Sequence, residues 1–179
     1  MIETLISSKT RIKLLMKFFL NSKNTAYLRN LEEEFGESTN GIRLELNKFE
    51  KAGFLDSFSE GNKKIFKANT EHPLFNEINS IIRKMTGLEY IVDYIVQRIG
   101  DLDKVYLVGK LSKGQDGNIV DLVLVGNAIN KAFLIEQIDK AERKINKKIR
   151  YVNFTVDEFD LNKIKEPGMH PLLLWSKEK

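Results

Sequence analysis

Three residues, Gly36-Glu37-Ser38, separate two apolar-striped stretches, and this spacing constrains the fold of residues 8–69 more than any other feature. Upstream, Ala26, Leu28, Leu31 and Phe35 predict a short helix ending at Gly36, a residue suited to the left-handed position past a helix end. Downstream, Ser38 is placed to N-cap a further helix that runs to about Ala52 and is closed by Gly53. Before this pair, Ile12, Leu14, Leu15, Phe18 and Phe19 fall at helical spacing from Ser8, and Asn21-Ser22-Lys23-Asn24 breaks the pattern. After it, Phe54, Leu55, Phe58, Ile65 and Phe66 sit in two extended runs around Gly61-Asn62, a hairpin signal.

A helical wheel divides the third helix. Ile42, Glu45, Leu46 and Phe49 share the side that packs on the first two helices, and Asn40, Arg43, Leu44, Asn47 and Lys51 point away. The outward set suits duplex DNA: asparagine reads adenine, arginine reads guanine or holds phosphate, and Leu44 can touch a thymine methyl. Ser38 and Thr39 at the helix N-terminus suit a phosphate, and Lys63 and Lys64 beside the hairpin turn are expected on backbone or minor groove. Glu32-Glu33-Glu34 and Glu50 would repel phosphate if they faced it.

The order helix, helix, tight turn, helix, hairpin resembles the ArsR/MarR-like winged helix-turn-helix regulators. Ala52-Gly53-Phe54-Leu55 is similar to the family's exit from its recognition helix, and Glu60-Gly61-Asn62-Lys63-Lys64 to its charged wing. The resemblance implies a homodimer that places two recognition helices in successive major grooves. The family's metal-sensing branch uses cysteine ligands, and this chain has none, so metal sensing is not implied.

Composition adds exclusions more than directions. With 42% apolar and 30% charged residues the chain can bury a core. Its net charge of +4 permits a polyanionic partner without requiring one. The absence of cysteine excludes disulfides, thiol redox sensing and cysteine nucleophiles, and His72 and His170 offer no metal-ligand spacing. No metal or cofactor is expected. Lys9, Arg11, Lys13 and Lys17 interrupt the first apolar stretch at helical intervals, which reads as an amphipathic helix rather than a signal peptide or a membrane span. A cytoplasmic protein without a membrane partner is the expectation.

Asn69–Pro73 breaks the pattern, and two apolar-striped helices are predicted over 74–86 and 88–99, divided by Gly87. Their stripe serves either as a dimer seam or as core. After Gly100 the rhythm changes to a strand at 105–108, a loop from Gly109 to Asn118, a strand at 119–125 ended by Gly126-Asn127, a helix over 131–144 and a strand near 148–154. Val156–Phe159 opens a short helix or turn, and Leu172–Trp175 is too apolar for water and is expected to dock on its own domain or a partner subunit. The run Arg143, Lys144, Lys147, Lys148, Arg150 is the densest basic cluster, read as a solvated helix end rather than an extension of a DNA footprint.

The stretch VYLVGKLSKGQDGNIVDLVLVG resembles the nucleotidyltransferase superfamily of DNA polymerase β and the minimal nucleotidyltransferases. Gly109, the Ser112-Lys113-Gly114 step and the strand from Asp121 carry the likeness. In that superfamily two aspartates one residue apart and a third carboxylate hold two Mg²⁺ ions. Here Lys110 stands where the family has serine, Ile119 where it has the first aspartate, and no carboxylate falls between Arg150 and Thr155. The resemblance therefore implies a degenerate nucleotidyltransferase-like domain and not an enzyme, with Gly109, Lys110, Lys113, Gly114 and Asp121 as the candidate contacts for a nucleotide or small-molecule effector. The fold expected is α+β: a winged helix-turn-helix over 1–70, a helical linker or dimerisation segment over 71–100, and a small α/β domain over 101–179. The function expected is a DNA-binding transcriptional regulator. The alternatives are a nucleotidyltransferase acting on a protein or small molecule, and an antitoxin-like protein-binding adaptor.

Overall fold

The computed structural model describes residues 4, 6–96 and 99–178. The chain is α+β and divides into two compact units, Met1–Ile82 and Arg83–Lys179. The stretch 71–100 is thus shared between the two units and does not stand apart as a segment of its own. Among the described residues, no helix is long and apolar enough to cross a membrane.

The first unit runs α1 (Lys9–Phe19), β1 (Thr25–Tyr27), α2 (Leu28–Phe35), α3 (Thr39–Lys51), β2 (Leu55–Glu60), β3 (Lys63–Ala68) and into α4 (Phe75–Thr86). Hydroxyl caps start two of these helices: Ser8 Oγ accepts from Arg11 N–H, and Ser38 Oγ from Gly41 N–H. Gly36 ends α2 in the left-handed conformation. Leu14, Phe18, Phe19, Leu31, Ile42 and Leu46 are buried and fasten α1 to α2 and α3. Phe75 sets its ring 5.7 Å from that of Phe19 in a tilted contact, and Asn79 donates to the Phe19 carbonyl at 2.6 Å, which ties the start of α4 to the end of α1.

One expectation fails here. Ala26 is not part of the second helix but of β1, which pairs antiparallel with β3, Ala26 opposite Phe66, in a sheet ordered β1-β3-β2. Pairing with a strand some forty residues away overrides the local helical spacing. The hairpin closes where its turn residues sit, with Glu60 opposite Lys63 across Gly61-Asn62.

The second unit holds α5 (Leu88–Val96), β4 (Gly100–Val108), α6 (Gly109–Ser112), β5 (Ile119–Ile129), α7 (Lys131–Ile145), β6 (Lys148–Phe154), a 3₁₀ turn at Leu161–Ile164, and β7 (Leu172–Ser176). Its sheet is ordered β6-β5-β4-β7, antiparallel except for β5 and β6, which are parallel and joined through α7. Leu88, Ile91, Ile95 and Ile99 are buried, so this apolar stripe is core. The helix expected over 88–99 is seen to Val96, and Gln97 and Arg98 lie outside the described residues. Gly109–Asn118 is not loop throughout, because its first four residues make the single turn α6. Nor does Gly126 end its strand: β5 continues to Ile129, and the sheet absorbs the irregularity by register shifts around Leu102. Leu172–Trp175 docks on its own unit as β7, the partner of β4.

Strand alternation sorts the sheet's two faces. Val105, Leu107, Leu122 and Leu124 are fully buried on one side. Tyr106, Val123 and Val125 lie on the other, covered by Phe159, Leu161 and Ile164 of the segment before β7. Asp121 belongs to this second side by the same alternation, and that sets its surroundings.

Candidate functional site

In the first unit, the inward and outward faces of α3 differ in how their polar groups are used. Glu45 is buried and accepts from Arg11 Nε at 2.9 Å and from Lys48 Nζ at 3.0 Å. The Arg11 guanidinium holds the Glu45 carboxyl below its usual range, against the opposing pull of burial. Glu45 is therefore turned inward and paired, while Glu50, the helix's other acidic residue, is half-exposed and accepts from Ser57 and Lys64 of the hairpin. Asn40, Arg43, Leu44, Asn47 and Lys51 are all exposed, Leu44 at 53%. Among the described residues, the side chains of Asn40, Arg43, Asn47 and Lys51 have no hydrogen-bond or ion-pair partner. Polar groups of this kind, rigidly spaced on a capped helix and unengaged, are able to take up an external ligand.

Beside this face lies a groove of 420 Å³ between α2, α3 and the hairpin. Of the residues proposed from the sequence, Thr39, Arg43, Asn47, Lys63 and Lys64 border it together. Ser38, Asn40 and Leu44 do not, and Ser38 spends its hydroxyl as the helix cap. Tyr27 and Arg29 also border the groove, and sequence reading missed both. The Lys63 ammonium sits 4.4 Å from the centre of the Tyr27 ring, a cation–π contact that positions the turn of the hairpin. Lys64 is less available than expected, because its Nζ donates to Glu50 at 2.7 Å. Glu32 borders the same groove and subtracts from its positive charge.

In the second unit the residues singled out from the sequence converge on a cleft of 780 Å³. Gly109, Lys110, Lys113 and Asp121 line it; Gly114 does not, lying buried in the turn after α6 with its N–H on the Leu111 carbonyl. Arg150, Lys163 and Glu166 line it as well. Arg150 was read as part of a solvated basic run, yet the parallel register of β5 and β6 sets it directly beside Asp121. Its Nε donates to Asp121 Oδ1 at 2.7 Å. No local spacing reports such a register, so the pair was invisible in the sequence. Glu166 approaches Lys113 at 3.7 Å. The apolar part of the wall includes Val108, Val152, Ile164 and Met169.

Ile119, two residues before Asp121 and so on the same face of β5, lies opposite Lys148. On this face of β5 the one carboxylate, Asp121, lies beside Arg150 of β6, and Lys148 of β6 is paired with Glu142. Asp116, the nearest other carboxylate in the sequence, is engaged by Lys147 at 2.6 Å. Among the described residues, no three histidine, cysteine or acidic side chains gather where a metal ion could be held.

The remaining cations of the dense basic run are also engaged. Lys148 pairs with Glu142 at 2.7 Å, Arg143 stands 3.9 Å from Asp139, and the Lys144 ammonium lies 5.3 Å from the Tyr90 ring.

No protein-family model matches this chain, and no curated protein is significantly similar to it. A structural likeness is found to AF1382 from Archaeoglobus fulgidus, at 19% identity and a TM-score of 0.36, over 55% of this chain and 99% of that one. Likeness at that level does not establish a common fold.

Proposed function

We propose that the chain is a DNA-binding transcriptional regulator whose first unit is a winged helix-turn-helix. In this reading α3 is the recognition helix, and the β2–β3 hairpin is the wing. The observation that carries it is the unengaged outward face of α3, Asn40, Arg43, Leu44, Asn47 and Lys51, on a helix whose two acidic residues, Glu45 and Glu50, are both paired with cations of the same unit. Asparagine and arginine on such a helix match the donor and acceptor pattern of the major groove, and Lys51, Lys63 and Arg29 supply charge for phosphates. Two copies would read half-sites about one helical turn apart. The second unit, a degenerate nucleotidyltransferase-like domain in this reading, would carry an effector site or assemble the dimer. Transferase chemistry is not proposed, because the cleft's two carboxylates, Asp121 and Glu166, are held by Arg150 and Lys113, and among the described residues no third joins them to supply the oxygen ligands that Mg²⁺ requires.

The test begins with selection from a random duplex library, followed by fluorescence anisotropy of the selected and a scrambled duplex across a salt series. The expected result is selective binding whose log–log salt slope is about −3 or steeper, the signature of several phosphate contacts. Arg43→Ala with Asn47→Ala should reduce binding to the selected duplex by about tenfold or more and leave the scrambled duplex nearly unaffected. Failure to bind any duplex at low salt would overturn the reading in favour of a protein-binding adaptor.

A further inference from the structure

We propose that the cleft of the second unit binds a small organic phosphate monoester, an apolar or aromatic body with one phosphate head, without a metal ion. Its volume of 780 Å³ lies inside the range of roughly 300–1,000 Å³ typical of small-molecule sites. Lys110, Lys113, Arg150 and Lys163 border it against two carboxylates, Asp121 and Glu166, a formal surplus of two positive charges. A phosphate monoester carries about −1.5 to −2 near neutral pH and balances that surplus. A monocarboxylate would balance half of it.

The bonding pattern says which groups are available. Both carboxylates are engaged by cations within the cleft, Asp121 by Arg150 and Glu166 by Lys113. Arg150 uses its Nε for Asp121, and among the described residues no partner is found for its two Nη groups. That leaves a planar fork suited to two phosphate oxygens. The side chains of Lys110 and Lys163, both exposed, likewise have no partner among the described residues. The phosphate is neutralised by these side chains, since the cleft holds no carboxylate set that would recruit a divalent ion. The apolar wall offers a surface for the body of the ligand: Val108, Val152, Ile164 and Met169 line it, with Val152 52% exposed.

This inference concerns the second unit and stands whether or not the first reads DNA. It is tested by isothermal titration of the full chain in EDTA with phenyl phosphate, with inorganic phosphate and phenol as the two halves of that probe. Saturable binding of phenyl phosphate is expected, at least about tenfold tighter than either half. Lys110→Ala with Lys163→Ala, both at exposed positions, should weaken it by about tenfold or more. Val152→Glu, which sets a carboxylate on the exposed apolar wall, should abolish it. Circular dichroism of each variant checks that it is folded. Absence of saturable heat up to about 10 mM, binding that appears only on adding Mg²⁺, or equal affinity in a folded lysine variant would each overturn the proposal.

Discussion

Replacing Gly109 by alanine probes how firmly the wall of the cleft is set. Gly109 has φ 70°, in the left-handed region, where an L side chain costs roughly 1–2 kcal/mol. A Cβ there would stand 2.5 Å from Asp121 Oδ2, 3.2 Å from its Cγ and 3.3 Å from its Cβ, so the carboxylate has to move. It is not free to do so without loss, because Arg150 holds Oδ1 from the neighbouring strand. That ion pair is solvent-exposed on the arginine side, at 67%, so giving it up adds only modestly to the backbone cost. The substitution therefore costs more than the backbone term of roughly 1–2 kcal/mol alone. Gly168 provides the control: its φ is 69°, and a Cβ would meet nothing within 4 Å, so its alanine variant carries only the backbone cost of roughly 1–2 kcal/mol. Trp175 is the only tryptophan in the chain and lies in β7, so urea unfolding followed by tryptophan fluorescence reports on this unit for both variants. The decisive arm is a double-mutant cycle with Asp121→Ala. In that background Gly109→Ala should cost no more than Gly168→Ala, a coupling of about 1 kcal/mol between positions 109 and 121. An equal cost with and without Asp121 would refute the reasoning, since the carboxylate would then not form the wall against which the glycine is fitted.

Three further outcomes are expected. Glu45 has its carboxyl held low in the folded state, chiefly by Arg11, so its contribution is present above the unfolded value near 4.5 and is lost as pH falls through the lower folded value. Glu45→Gln should therefore lower stability at pH 7 by about 1–2 kcal/mol and converge with the wild type in acid, as followed by far-ultraviolet circular dichroism. Glu50→Gln should release Lys64 from its 2.7 Å pair and, if the first unit binds duplex, tighten non-specific binding by about two- to fivefold at low salt; an anisotropy titration that shows no gain would count against the hairpin as a phosphate contact. Asn79→Ala removes the donor to the Phe19 carbonyl and should cost about 1 kcal/mol, seen as faster amide exchange at the end of α1.

What could be read in the sequence was what depends on neighbours within a few residues. Ser38 and Gly53 bracket α3 because capping is local, and Gly61-Asn62 marks its hairpin because the tight turn places Gly61 at a positive φ of 58°. The outward face of α3 followed from its 3.6-residue period. The elements that were missed depend on distant partners. Thr25–Tyr27 is too short to show a period and exists as a strand because β3 pairs with it. Leu172–Trp175 has no alternation and becomes a strand on β4, some seventy residues away. In the cleft, Gly109, Lys110, Lys113 and Asp121 lie on or beside adjoining elements and could be grouped from the sequence. Arg150 joins them through sheet register, and Lys163 and Glu166 through a segment with little regular structure.

Pairing of charges explains why net charge is a poor guide to the active surfaces of this chain. On α1, Arg11, Lys13 and Lys17 are taken up by Glu45, Glu37 and Glu34, at 2.9, 2.5 and 2.7 Å. Two of these acids, Glu34 and Glu45, belong to α2 and α3, and Glu37 lies in the turn between them. The acidic residues that seemed to oppose DNA binding are thus partly spent in holding α1 against the helix pair. In the second unit, Lys147 and Lys148 are occupied in the same way by Asp116 and Glu142. Pairs of this kind are worth little individually at a surface, so their main consequence is positional. They decide which cations stay unengaged. Arg43 and Lys51 on one face of α3, and Lys110 and Lys163 on the rim of the cleft, are among the described cations that remain so. An anion approaching one of these faces meets cations that no neighbouring acid has already engaged.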